Sequence, residues 1–168
     1  MKTLIKIACI SLILFACNGK PVQYPDTNVT EIINGINWDG NFDDVEKTLN
    51  EKFNLEFGTS KFNETGGAVA YEFEGGKLFG KNTESWVAGF LHDKLNAVII
   101  KFAGGENAGG LYNEICGKLD SSLGKSKMEL EKSKFWTYTT KNGQNIFSVI
   151  CNIAPNTNDV LVVIKRNL

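Results

Sequence analysis

The sequence is poor in the groups that most metal sites and many enzymes require. It contains one histidine, four cysteines and three prolines among 168 residues. A single histidine cannot build a histidine-rich metal site, and any histidine-based catalytic triad would have to use it. The 18 basic and 19 acidic side chains nearly cancel, so the chain lacks the basic excess of a general nucleic-acid binder. These shortages favour a protein without cofactor or metal that does not bind nucleic acid.

The chain also lacks the long apolar run of a transmembrane helix. Its one apolar stretch, residues 7–15, follows Lys2 and Lys6. Nine residues of helix span about 13 Å, well short of a hydrocarbon core of about 30 Å. A positive segment before a short apolar run is typical of a secretory signal peptide. The whole sequence is 42% hydrophobic and 22% charged. The residues after the apolar stretch therefore include enough apolar side chains for one folded domain.

The apolar run ends in Leu14-Phe15-Ala16-Cys17, where a small residue directly precedes the cysteine. This motif resembles the lipobox of bacterial lipoproteins. The resemblance implies that residues 1–16 are removed and that Cys17 is acylated, which would anchor the protein in a membrane of the cell envelope. Asn18 stands where the family's inner-membrane retention signal has aspartate, which favours the outer membrane. The alternative is an ordinary secretory signal that leaves Cys17 as a plain thiol.

The segment after Cys17 predicts a tether and then one domain. Residues 17–30 are polar, include two prolines and show little periodicity, as in a flexible linker. Residues 31–168 are predicted to form a single α+β domain. Which side of the outer membrane this domain faces stays open.

In the first half of the domain, the spacing of apolar residues predicts one helix. Phe42, Val45, Leu49 and Phe53 recur at intervals of three and four residues, and Asn41 can cap the helix that carries them. Residues 31–38 alternate loosely and predict a short strand before this helix. Alternation predicts three further strands, at residues 69–74, 86–91 and 95–102. A hairpin turn at residues 92–94 is predicted to join the last two.

The second half repeats this order after a glycine-rich connector at residues 103–110. Gly124 marks the end of its helix, and Asn142-Gly143 is a strong hairpin signal. The apolar stripe of the helix consists of Leu111, Tyr112, Ile115, Cys116, Leu119 and Leu123. The strands are predicted at residues 135–140, 145–153 and 160–166.

These elements predict an α+β fold with an internal α-β-β-β duplication. We expect an antiparallel sheet of six to seven strands with two helices on one face. The order of elements resembles the tandem units of β-lactamase-inhibitor-protein-like folds and of small outer-membrane assembly lipoproteins. The resemblance covers element order only and carries over no functional residues.

Cys116 and Cys151 are the two cysteines of the predicted domain. Cys116 lies on the helix stripe, and Cys151 shares a strand face with Phe147 and Val149, so both point toward the same core. An oxidising envelope would permit a disulfide between them. The alternative is two reduced cysteines that pack as small hydrophobic residues.

Three other segments resemble known functional motifs but lack residues that those motifs require. The glycine-rich residues 104–110 lack the lysine and Ser/Thr of a phosphate-binding loop, so we interpret them as a connector. Residues 39–43 begin like a calcium loop, but Asn50 stands where its bidentate glutamate belongs. His92, beside Asp93, is interpreted as a solvated turn residue.

The aromatic residues, 11% of the chain, suggest a partner-binding surface. Trp86 and Phe90 share one strand face, and Trp136 and Tyr138 share another. We predict that these four residues contribute to an exposed patch on a helix-free sheet face, where a protein partner binds. The resulting hypothesis is a lipid-anchored, non-enzymatic envelope protein with a protein partner. The alternatives are a binder of a small apolar molecule or glycan between helices and sheet, and an envelope hydrolase that uses His92 or paired acids.

Overall fold

The computed structural model describes residues 22–63, 67–141 and 143–167. It confirms the predicted α+β class, with a layer of helices and a large antiparallel sheet. The described helices are α1 (Val29–Gly35), α2 (Phe42–Phe53) and α3 (Ala108–Leu123). The strands are β1 (Glu56–Asn63), β2 (Ala68–Glu74), β3 (Lys77–Leu78), β4 (Lys81–Asn82), β5 (Ser85–Leu91), β6 (Lys94–Phe102), β7 (Met128–Leu130), β8 (Ser133–Thr139), β9 (Ile146–Ile153) and β10 (Val160–Asn167).

Eight of these strands form one sheet in the order β1-β2-β5-β6-β10-β9-β8-β7, and β3 pairs with β4. The first half of the chain supplies α1 and α2 and the second half supplies α3, so the sheet carries three described helices and not the predicted two. In each half four strands of the large sheet follow, and the last strands of the two halves, β6 and β10, pair at the centre. The predicted repeat of three strands is therefore a repeat of four. The sheet exceeds the predicted six to seven strands because β1 and β7, which form its two edges, were not predicted.

The predicted helix of the first half is confirmed as α2. The Asn41 side chain accepts a hydrogen bond from the backbone N–H of Asp44 at its N-terminus. The apolar stripe of Val45, Leu49 and Phe53 is buried, as its spacing requires. Asn54 ends the helix in the left-handed conformation.

The predicted strand at residues 31–38 is wrong, because most of this segment belongs to helix α1. Asn28 and Glu31 form a reciprocal capping box in which each side chain accepts a hydrogen bond from the other's backbone N–H. Val29, Ile32 and Ile33 are buried along one side of the helix. This packing and capping outweigh the local alternation. The helix begins two residues before the predicted domain start.

The hairpins follow the turn signals in the sequence. His92 and Asp93 join β5 to β6 with positive φ angles of 50° and 62°, as a two-residue turn of this kind requires. Gly124 and Gly143 also adopt positive φ; Asn142 lies outside the described residues. The predicted strands of the second half are confirmed as β8, β9 and β10.

All three described helices pack on the same face of the sheet. The ring of Phe53 from α2 lies 5.5 Å from that of Trp86. Asp120 of α3 accepts a hydrogen bond of 3.0 Å from the indole N–H of Trp136, and Trp38, after α1, packs edge-on against Phe147. We call this the covered face and its opposite the open face.

Candidate functional site

The four aromatic residues predicted to mark a partner surface lie on the covered face. Trp86, Phe90 and Trp136 are only 0%, 5% and 2% exposed, so the prediction that they form an exposed patch is wrong. Tyr138 is half-buried against the core, and Asn34 of α1 donates a hydrogen bond to its hydroxyl. Their large apolar surfaces are buried beneath the helices, where their removal from water is most favourable.

The open face nevertheless carries an apolar surface, built from the alternate residues of the same strands. Strand pairing aligns Val87 of β5 with Ile99 of β6, and Ile99 with Val163 of β10. The alignment continues through Ile150 and Phe135 to the edge strand β7. We call these residues the open-face row: Val87, Ile99, Val163, Ile150, Phe135 and Met128.

The open-face row is partly accessible along its length. Its first five members are half-buried, and Met128 at the edge is 51% exposed. Adjacent strands lie about 4.8 Å apart, so six aligned residues span about 24 Å. This length suits one side of a standard protein interface, which buries about 800 Å² per partner.

The next row of the open face is made mostly of small side chains. Gly89 is aligned with Ala97, Ala97 with Lys165, Lys165 with Ser148, and Ser148 with Thr137. Because these side chains are small, they form a shallow groove beside the bulkier open-face row. Apolar side chains of a partner can occupy this groove and contact the open-face row. Lys165 is exposed in the middle of this row and places a positive charge beside the apolar surface.

The sequence contained one indication of the open-face row, which is the presence of apolar residues on both faces of the same strands. β6 and β10 are apolar on both faces, and Val87 alternates with the buried Trp86. Alternation identifies which residues share a face, but it does not tell which face the helices cover. The predicted residues were therefore assigned to the wrong side, although apolar residues do lie on the face that none of the described helices covers.

The two thiols of the domain meet between α3 and β9. Cys116 and Cys151 are both buried in the core. The neighbouring Cys151 side chain lowers the pKa of Cys116, and the Tyr112 hydroxyl and the Lys134 ammonium act in the same direction. The Cys116 side chain and burial raise the pKa of Cys151. The structure holds both cysteines as free thiols, so the predicted disulfide stays a prediction.

The remaining motifs have structural roles. Asp39 accepts a hydrogen bond from Arg166 at 2.8 Å. The predicted glycine-rich connector ends earlier than expected, because its last three residues form the start of α3. Gly104 lies so close to the β9–β10 turn that a Cβ there would collide with the carbonyl oxygen of Asn158. His92 is exposed at its turn. Within the described part of the chain, no three His, Cys, Asp or Glu side chains are grouped as a metal site would require.

A cleft of about 610 Å³ opens at one end of the molecule. It lies between the α1–α2 loop and the β8–β9 turn and is lined by a mixture of polar and aromatic groups. These include Asn34, Asn37, Trp38, Lys141 and Asn145.

Comparison of the chain with protein-family models, curated proteins and solved structures found no match. Among the described residues, no helix combines the length and apolar character needed to cross a bilayer. Cys17 and the rest of the lipobox lie outside the described residues.

Proposed function

We propose that this protein is a lipid-anchored, non-enzymatic envelope protein whose open sheet face binds a protein partner. The observation that carries the proposal is the open-face row, an apolar surface that crosses six strands and that none of the described helices covers. Aromatic and methionine side chains, here Phe135 and Met128, are enriched in protein interfaces, and the fully buried centre of an interface is more apolar than its rim. The proposal assigns no catalytic step to the chain.

The partner presents an apolar surface that carries a carboxylate opposite Lys165. Lys165 lies between Ala97 and Ser148 in the register, next to the open-face row. A carboxylate at this position would pair with the ammonium group, fix the orientation of the partner and accelerate encounter more than it would raise affinity. Lipid-like ligands fit this surface less well, because it is an extended row and not an enclosed cavity.

The lipobox supports the location. Acylation of Cys17 would add two or three chains, and each buried methylene contributes about 0.8 kcal/mol to membrane binding, so release from the membrane would be slow. We place the protein at the outer membrane, with residues 18–28 between the lipid and helix α1.

Site-specific photo-crosslinking in cells tests the partner proposal. A photoreactive amino acid at Thr137, exposed on the open face, should trap one protein, and the same group at Lys47 on the outer side of α2 should not. Ile99→Asp and Lys165→Glu should each reduce the Thr137 crosslink at least tenfold, whereas the matched charge reversal Lys47→Glu should leave it unchanged.

Three results would contradict the partner proposal. They are no crosslink at Thr137, a crosslink that resists both open-face variants, and a crosslink only to a second copy of this chain. Circular dichroism of each variant separates loss of binding from loss of folding.

The anchor has its own test. Cells that are fed an alkyne-labelled fatty acid should yield labelled protein, and Cys17→Ser should abolish the label and release the domain from the membrane fraction. Mass spectrometry that finds an unmodified Cys17, or a mature chain that begins further downstream, would contradict the anchor.

The cleft supports a second candidate function, binding of a glycan. The side-chain amides of Asn34, Asn37 and Asn145 line it and can hydrogen-bond to sugar hydroxyls. Trp38, only 6% exposed, also lies in its wall and can report binding through its fluorescence. A titration with soluble envelope oligosaccharides should change the tryptophan fluorescence, and Asn37→Ala with Asn145→Ala should remove the change. An unaltered spectrum at millimolar sugar would contradict this candidate.

A further inference from the structure

We propose that Cys116 and Cys151 form a disulfide that fastens α3 to the sheet when the chain folds in an oxidising compartment. The inference does not depend on partner binding at the open face.

The fold brings two cysteines from distant parts of the chain into one contact. Cys116 lies in the middle of α3 and Cys151 in β9, next to the central strand β10. Both side chains are buried in the same core where α3 packs on β9, and they lie close enough to shift each other's pKa. A disulfide requires the two sulfur atoms to approach to about 2.05 Å. The bond would close a loop of about 35 residues that contains β7 and β8.

The surroundings make the two thiols unequal. Lys134 is aligned with Cys151 across the β8–β9 pair, and the Tyr112 hydroxyl and the Lys134 ammonium both lower the pKa of Cys116. Both groups stabilise a negative charge on the Cys116 sulfur. Cys116 is therefore the nucleophile, because the thiolate is the reactive form of cysteine.

The oxidant is a disulfide, either glutathione disulfide or the active-site disulfide of a thiol oxidoreductase. The Cys116 thiolate attacks one sulfur of this disulfide, breaks its S–S bond and releases one thiolate, which takes up the proton lost by Cys116. Cys151, after losing its proton, then attacks the Cys116 sulfur of the mixed disulfide and releases the second thiol. Two electrons pass from the two cysteines to the oxidant, which leaves as two thiols.

The burial of both cysteines determines when this occurs. Both thiols are covered by α3 and the sheet, so an oxidant reaches them before α3 has docked or during its transient opening. Once formed, the bond lies in the core, where reductants have little access.

Peptide mapping tests the disulfide directly. The full chain is refolded in glutathione redox buffer, its remaining thiols are alkylated, and it is digested with trypsin without reduction. We expect residues 102–118 and residues 142–165, which carry the two cysteines, to appear as one linked peptide. Reduction should separate them and lower the midpoint of thermal unfolding by about 10 °C.

Two controls make the result decisive. The chain's other cysteines, Cys9 and Cys17, fall in a separate peptide, residues 7–47, so a link to that peptide would reveal random pairing. Cys151→Ala should remove both the linked peptide and the effect of reductant on thermal unfolding. Complete alkylation of Cys116 and Cys151 after refolding, or random pairing, would overturn the proposal.

Discussion

The two faces of the sheet come from the same strands, yet they differ in what covers them. The covered face places Trp86, Ile100 and Trp136 beneath the helices, where each is at most 2% exposed. The open face carries the open-face row, whose members stay partly exposed. The difference shows that an apolar residue in this sheet has one of two roles. It stabilises the fold on one face and is available for binding on the other.

The largest expected effect comes from truncating a side chain of the covered face. Trp86 is fully buried, and its indole N–H donates to the Thr83 hydroxyl at 2.8 Å. Trp86→Ala should lower the free energy of unfolding by about 3–5 kcal/mol, because it removes a large apolar surface and leaves a cavity. Urea denaturation measures this loss. A loss below about 1 kcal/mol would mean that the helices do not seal this face.

Neighbouring isoleucines of β6 provide a matched pair. Ile100 is fully buried on the covered face, and Ile99 lies in the open-face row. Ile100→Ala should cost about 2–5 kcal/mol, whereas Ile99→Ala should cost about 1 kcal/mol or less, since its side chain is already partly hydrated. The crosslink from Thr137 should respond in the opposite order. Equal stability losses for the two variants would show that something covers the open face.

Periodicity predicted most of the interior of this fold. The apolar stripe of α2 and the alternating apolar residues of β5 and β6 are each buried on one side, so the pattern in the sequence matches the burial in the structure. The two strands that were not predicted are the sheet edges. All three residues of β7 are exposed, and Phe57 in β1 is 45% exposed, so neither edge shows a clear alternation. α1 was predicted as a strand because its seven residues are too few to display a helical stripe.

The candidate site was predictable only in part. The sequence places Trp86 and Val87 on opposite faces and directs Cys116 and Cys151 toward a common core. It does not tell which face α2 and α3 cover, because that depends on how the helices return over the sheet. The contact between the two thiols likewise depends on the position of α3 along β9, which no local pattern encodes.

A smaller effect is expected from the polar contact between α3 and the covered face. Asp120 accepts hydrogen bonds from the Trp136 indole and from the backbone N–H of Ser126, at 3.0 and 3.1 Å. Asp120→Ala should cost about 1–3 kcal/mol, because it leaves the buried indole N–H without an acceptor. Asp120→Asn keeps an acceptor oxygen and should cost less, as thermal or urea unfolding would show. Equal losses for the two variants would contradict a role for this hydrogen bond.

The smallest effect on stability is expected from removing the contact between Asp39 and Arg166, where the α1–α2 loop meets the end of β10. Asp39, in the loop between α1 and α2, accepts a hydrogen bond from Arg166, and this bond and the Arg166 charge lower the pKa of the Asp39 carboxyl. Because the pKa of Asp39 is lower in the folded than in the unfolded protein, the contact stabilises the fold above the unfolded value of about 3.9. The stabilisation is lost as the pH falls through the lower, folded-state value.

Asp39→Asn should therefore be slightly less stable than the wild type at pH 7 and equally stable once Asp39 is protonated. The difference at pH 7 should also shrink in about 1 M salt, since the carboxylate is exposed and its charge is screened. A difference that persists at low pH would show that the side chain acts through hydrogen-bond geometry and not through its charge.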